Sequence, residues 1–154
     1  ERLKANVHFM QHDMSASAFP SSEKFDIIIS NPPFFEDDLQ SSDSKKNAAK
    51  HDITLTLLGL LNNIDRLLNA PGIFAVLLPY HRVDYFIKES EAKGFYLSNK
   101  LLVKQTPLHN FFRGILFFSK KESNIITAEI TIKNAAGNYT GEFINLLKDY
   151  YLYL

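Results

Sequence analysis

Apolar positions follow distinct patterns along this chain, and each predicts a different kind of element. Phe25-Asp26-Ile27-Ile28-Ile29-Ser30 and residues 73–78 are short, β-branched apolar runs, the pattern of strands buried on both faces. Between them, over residues 54–69, Leu57, Leu58, Leu60, Leu61, Ile64, Leu67 and Leu68 recur at helical spacing, and Ala70-Pro71-Gly72 is placed to end the helix. Residues 82–93 are amphipathic, with Val83, Phe86 and Ile87 inward and Gly94 as a C-cap. Residues 95–104 and 111–119 read as two strands with no helix between them, and residues 125–133 form a further β-rich run before a glycine-containing turn at 134–138. Phe143, Leu146, Leu147, Tyr150 and Tyr151 give a terminal helix one apolar face, where aromatics are expected to pack into the core rather than serve as an RNA platform. Upstream, residues 7–10 form a short strand, 11–14 turn out of it, and 15–24 are a polar connector. Strand, helix, strand, helix implies an α/β fold with parallel strands and right-handed crossovers.

Composition narrows this picture without replacing it. The 154 residues are a single-domain length, and 45% hydrophobic with 13% aromatic content describes a globular chain. Lys+Arg and Asp+Glu balance at 17 each, so the chain has no general basic coat, and any RNA contact must come from local patches. The absence of cysteine removes disulfides and thiolate zinc sites and suits a reducing cytosol. His8, His12, His51, His81 and His109 show no metal-ligand spacing, so no metal is expected. No apolar run has membrane-spanning length and no signal peptide opens the sequence, so the expectation is a soluble, cytoplasmic protein away from any membrane.

The candidate chemistry lies where the first apolar run stops. Asn31-Pro32-Pro33 cannot continue a sheet ladder, which places Asn31 and the Pro32 carbonyl beyond the carboxyl end of a strand, where open α/β sheets bind ligands. Phe34 and Phe35 follow at once. The Asn31 side-chain oxygen and the Pro32 carbonyl can each accept one hydrogen of an exocyclic amine while Phe34 stacks on its ring. Accepting both hydrogens localises the nitrogen lone pair and prepares it to attack a methyl sulfonium without a strong general base. An ordinary proline turn with a buried aromatic is the plain alternative; the preceding strand and following aromatic favour the chemical reading. Residues 36–50 are a polar run just after this element, placed as a substrate-covering lid. Within it Lys45, Lys46 and Lys50 either touch phosphate or simply solvate the loop.

Asn31-Pro32-Pro33-Phe34 matches the Asn/Asp-Pro-Pro-Tyr/Phe motif of amino-group methyltransferases. The wider pattern resembles the tRNA adenine-N6 methyltransferases that act beside the anticodon of a valine tRNA. The resemblance rests on the Phe25–Phe35 stretch, on Ala49-Lys50-His51-Asp52, on Arg113-Gly114-Ile115-Leu116 and on Tyr139-Thr140-Gly141-Glu142-Phe143 through Tyr150-Tyr151-Leu152. It implies a Rossmann-like sheet, mostly parallel, with an antiparallel pair at one edge. It also implies S-adenosyl-L-methionine as cofactor and tRNA as substrate, with Asn31, Pro32, Pro33 and Phe34 catalytic. Asp13 matches the acid that receives the cofactor's adenine amine, with Met14 beside it and Asn31 completing the cofactor site. Phe34, Phe35, the three lysines and Arg113 are the candidate substrate contacts, although a place for Arg113 on a sheet edge is preferred.

One part of the family's pattern is missing. Only six glycines occur, none clustered into a cofactor-cradling turn after a strand. The expectation is a single catalytic domain over residues 1–154 that lacks its N-terminal strands, roughly 80–100 residues by the size of two strand–helix units and a lead-in. Such a piece would have little activity of its own, and its exposed strand edge leaves self-association open. The same motif serves glutamine N5-methylation of release factors and adenine N6-methylation of DNA, and a non-catalytic RNA-binding fragment is the alternative outside enzymes.

Overall fold

The computed structural model describes residues 24–32 and 57–151. Strand β1 spans Phe25–Ser30, helix α1 covers residues 57–67, and β2 spans Leu68–Pro79. A 3-10 turn, Tyr80–Arg82, leads into α2, Val83–Ala92. Strands β3 (Tyr96–Lys104), β4 (Phe111–Ser119) and β5 (Ile126–Thr131) precede α3, Gly141–Leu147. These form one five-stranded sheet in the order β1-β2-β4-β3-β5. β1 pairs parallel with β2 and β3 pairs parallel with β5, while β4 runs antiparallel to both of its neighbours. The sheet is therefore parallel except for one inserted strand.

Alternation along β2 and β4 decides where the core sits. Phe74, Val76 and Leu78 are cross-strand partners of Phe118, Leu116 and Gly114, so they share a face. Against that face pack Leu57, Leu60, Leu61 and Ile64 of α1 and Val83 and Phe86 of α2. Phe74 stacks on Phe118 at 4.8 Å between ring centroids and meets Phe95 edge-on at 5.1 Å. Gly114 is required here, because a Cβ would lie 2.7 Å from Val83 Cγ2, where the start of α2 crosses β4.

The end of α2 fulfils its sequence signal. Phe95 N–H donates to the Ser90 carbonyl, Gly94 N–H donates to the Glu91 carbonyl, and Gly94 has φ +75°, which is a Schellman cap. Buried Phe95 then delivers the chain to β3. At 134–138 the Asn134 Oδ1 accepts from the Ala136 and Asn138 amides, and Gly137 takes φ +86°.

Several expectations are corrected. β1 is not buried on both faces: Ile27 is 61% and Ile29 80% exposed. Among the described residues β1 pairs only with β2, and no described helix covers the face that Ile27 and Ile29 occupy. Ala70-Pro71-Gly72 does not separate helix from strand, because β2 already begins at Leu68 and runs through it with an irregular register. Gly72 permits this: a Cβ there would lie 2.9 Å from the Asp26 carbonyl oxygen. Asn69 Nδ2 also donates to Asp26 Oδ1 at 2.6 Å. The antiparallel β3–β4 pair lies inside the sheet, since β5 adds beyond β3 and takes the edge. Arg113 thus sits on an interior strand rather than on an edge. The terminal helix is shorter than its apolar pattern, has no buried residue, and leaves Tyr150 83% exposed beyond it. Core packing therefore does not account for its aromatics. The expected strand at 7–10, the connector at 15–24 except its last residue, and the 36–50 run lie outside the described residues.

Candidate functional site

β1, β2, β3 and β5 all point the same way, so their carboxyl ends and the turns that follow gather at one end of the sheet. Ser30, the last residue of β1, is level with Val76. Asn31 follows, exposed, and Pro32 after it is buried. The polar amide thus stands free at the strand terminus while the proline behind it is anchored. That arrangement needs no special backbone conformation, because among the described residues every non-glycine φ is negative.

β2 runs on three residues past the level of Ser30 to Pro79, and Arg113 of β4 is the register partner of Pro79. Two strand spacings and about two residues of rise separate Asn31 from Arg113, roughly 12 Å between Cα atoms. Arg113 is therefore at the same end of the sheet as Asn31. Its guanidinium donates to the Phe112 carbonyl at 3.3 Å and lies 5.5 Å from the centre of the Phe112 ring. Of the other predicted site residues, Asp13, Met14, Pro33, Phe34, Phe35, Lys45, Lys46 and Lys50 lie outside the described residues.

Other residues at this end were not singled out from sequence. Tyr80, His81 and Arg82 follow the carboxyl end of β2 directly, and the Tyr80 ring lies 5.4 Å from that of Phe111. The available signal was Pro79, which stops β2 as Asn31-Pro32 stops β1. Tyr85, one turn into α2, has its phenol raised above the usual range by burial first and by Glu89 second, with Arg82 opposing. It stays protonated through neutral pH. No group of three or more His, Cys, Asp or Glu able to hold a metal occurs among the described residues, and no helix there is long and apolar enough to cross a membrane.

Comparison with known proteins fits this geometry. The chain is 31% identical over 141 residues to a tRNA1(Val) (adenine(37)-N6)-methyltransferase of Pseudoalteromonas translucida, covering 92% of this chain and 61% of the relative. It is 32% identical over 153 residues to the protein of the same name from Proteus mirabilis, covering 96% and 60%. The two are homologues of this chain. It spans about three-fifths of the length of these relatives. The crystal structure of a predicted O-methyltransferase from Agrobacterium tumefaciens superposes with a TM-score of 0.57 at 13% identity, covering 89% of this chain and 60% of that one. The fold is thus the Rossmann-like sheet of methyltransferases. No family model matches the chain.

Proposed function

We propose that this chain carries the amine-binding half of an S-adenosyl-L-methionine-dependent methyltransferase that modifies the N6 amine of adenine in tRNA, beside the anticodon. The observation that carries the reading is Asn31, exposed at the carboxyl end of β1 and backed by buried Pro32. The names of the homologous proteins supply the substrate. Such a role belongs in the cytoplasm.

In this reading Asn31 Oδ1 and the Pro32 carbonyl accept the two hydrogens of the adenine amine, and Phe34 stacks on the base. The target adenine has to leave its stacked loop to reach them. When bound, S-adenosyl-L-methionine would supply an electrophilic methyl group to the held N6 amine, whose surplus proton would pass to solvent. Asn31, the one described member of its proposed site, fits that role because its amide is exposed where the cofactor and the base would meet. Asp13 and Met14 are assigned to the adenine end of the cofactor, and Pro33 to the Asn31-Pro32-Pro33-Phe34 catalytic motif.

We also infer that the face bearing Ile27, Ile29 and Ile73 is closed in the working protein, which would complete the catalytic domain. Three isoleucines 41–80% exposed on one sheet face form an apolar surface that calls for cover. The share of the relatives' length that this chain does not span is large enough to provide it.

The test is to incubate the whole protein with S-adenosyl-L-methionine and unmodified tRNA transcript and to digest the product for mass spectrometry. N6-methyladenosine is expected, and Asn31→Ala should lower its rate of formation by about 100- to 1000-fold, the usual cost of removing one preorganised hydrogen-bonding group. An Asn31→Ala enzyme of normal rate would falsify the reading. Phe34→Tyr should be tolerated because the stacking face survives. Phe34→Ala should weaken base capture by about 1–3 kcal/mol.

A further inference from the structure

The carboxyl end of the sheet carries more than the Asn31 site. Three described connections lie there, residues 80–82, 105–110 and 132–140, and none contains an aspartate or glutamate. Among the described residues the cations at this end are Arg82, Lys104, Arg113 and Lys133, and Glu129 lies beside Lys104. In a chain with no net charge, lysines beside acid-free connections are the kind of local feature through which a polyanion can be held.

Both lysines are held against rings. Lys104 Nζ lies 4.3 Å from the centre of the Phe111 ring, and Lys133 Nζ lies 5.4 Å from that of Tyr139. Tyr139 is itself stacked on Phe143 at 5.3 Å. The hairpin carrying Lys133 and Tyr139 is fastened to the sheet: Lys133 N–H donates to the Gln105 carbonyl, and Lys133 pairs with Tyr139. Thr140 Oγ1 donates to the Thr131 carbonyl at 2.6 Å and accepts from the Phe143 amide, capping α3. The ammonium groups are thus positioned before any ligand arrives, which lowers the entropy lost when a phosphate binds. Glu129 contacts Lys104 at 3.4 Å, but the carboxylate is 57% exposed, and such a solvated pair yields readily to a phosphate.

We propose that Lys104 and Lys133, held by Phe111 and Tyr139, form a backbone-binding ledge that grips the RNA stem on the far side of the loop presenting its adenine to Asn31. This deepens the tRNA reading and rests on it. By strand spacing, β3 and β5 lie about 14 and 19 Å from β1. At roughly 3.4 Å per nucleotide along a helical strand, those distances correspond to four to six nucleotides, beyond the target base and its immediate neighbours. The contacts position the RNA without reading its sequence.

The whole protein should therefore be compared on two substrates, an anticodon stem-loop and a trinucleotide carrying the same adenine. In Lys104→Ala/Lys133→Ala, the ratio of kcat/KM for the stem-loop to that for the trinucleotide should fall about tenfold, mainly through KM. The slope of log KM against log salt for the stem-loop should fall by roughly one per lysine removed. The double arginine variant should restore both, which separates lost charge from lost structure. Tyr139→Ala should lower the ratio less. If the wild type methylates the stem-loop and the double variant keeps both ratio and salt slope, the ledge serves some other partner, such as a protein, and the inference is overturned while the tRNA reading stands. An equal loss on both substrates also overturns it, because the lysines would then support the Asn31 site itself. A wild type that methylates no RNA removes the reading and the ledge together.

Discussion

The two faces of the sheet are built from the same residue types and differ in what lies against them. On one, Phe74, Val76, Leu78, Leu116 and Phe118 are 0% exposed beneath α1 and α2. On the other, Ile27, Ile29 and Ile73 remain open. An apolar residue in a strand therefore reports that a face can be buried, not that it is. Burial comes from the neighbour, and Ile27, Ile29 and Ile73 have no covering helix among the described residues.

Mutations on the two faces should separate sharply. Phe74→Ala removes a ring that touches three other aromatics and should cost about 3–5 kcal/mol in urea unfolding. Gly114→Ala places a methyl group against Val83 and should cost about 1–3 kcal/mol by the same measurement, with Val83→Ala recovering part of the loss. Ile29→Ala on the open face should change the stability of this chain by less than about 0.5 kcal/mol. The same substitution in the whole protein sharpens the contrast, because a covered Ile29 should cost about 2–5 kcal/mol. Equal, small effects in both would mean that the face stays open. Lys120→Ala belongs to the small effects as well: its 2.5 Å pair with Asp65 is exposed and should be worth at most about 1 kcal/mol.

Most elements were legible because their signals are local. The leucine stripe of α1, the Gly94 cap of α2 and the Asn134–Asn138 turn each depend on residues a few positions apart, and the structure has them where the pattern places them. Strand order is not local. Nothing in the alternation of residues 111–119 says that β4 lies between β2 and β3, so Arg113 was expected on an edge and stands inside the sheet. The continuation of β2 through Pro71 and Gly72 escaped for a related reason. Those residues carry a strong stop signal, and only the approach of Asp26 across the sheet explains why the strand tolerates them. At the site, the place of Asn31 followed from a stopped strand, which is a local feature. The aromatic and basic residues of the ledge come from β3, β4 and the hairpin after β5, so their meeting is a product of topology.

The irregular pairing at the other end of β1 sets the phase of the strand that ends at Asn31. Phe25 is level with Leu68, yet Ile27 is already level with Ile73, so β2 takes up three extra residues over that span. The Asn69–Asp26 hydrogen bond and the bare Cα of Gly72 hold that offset in place. Side chains on a strand alternate by residue, so a slip of a single position here would exchange the two sides of β1 all the way to its tip. The amide of Asn31 would turn inward and Pro32 outward, with every bond of the site intact and none of it facing the right way. Asp26, five residues upstream, therefore acts as an indexing pin for the amide proposed to receive the amine.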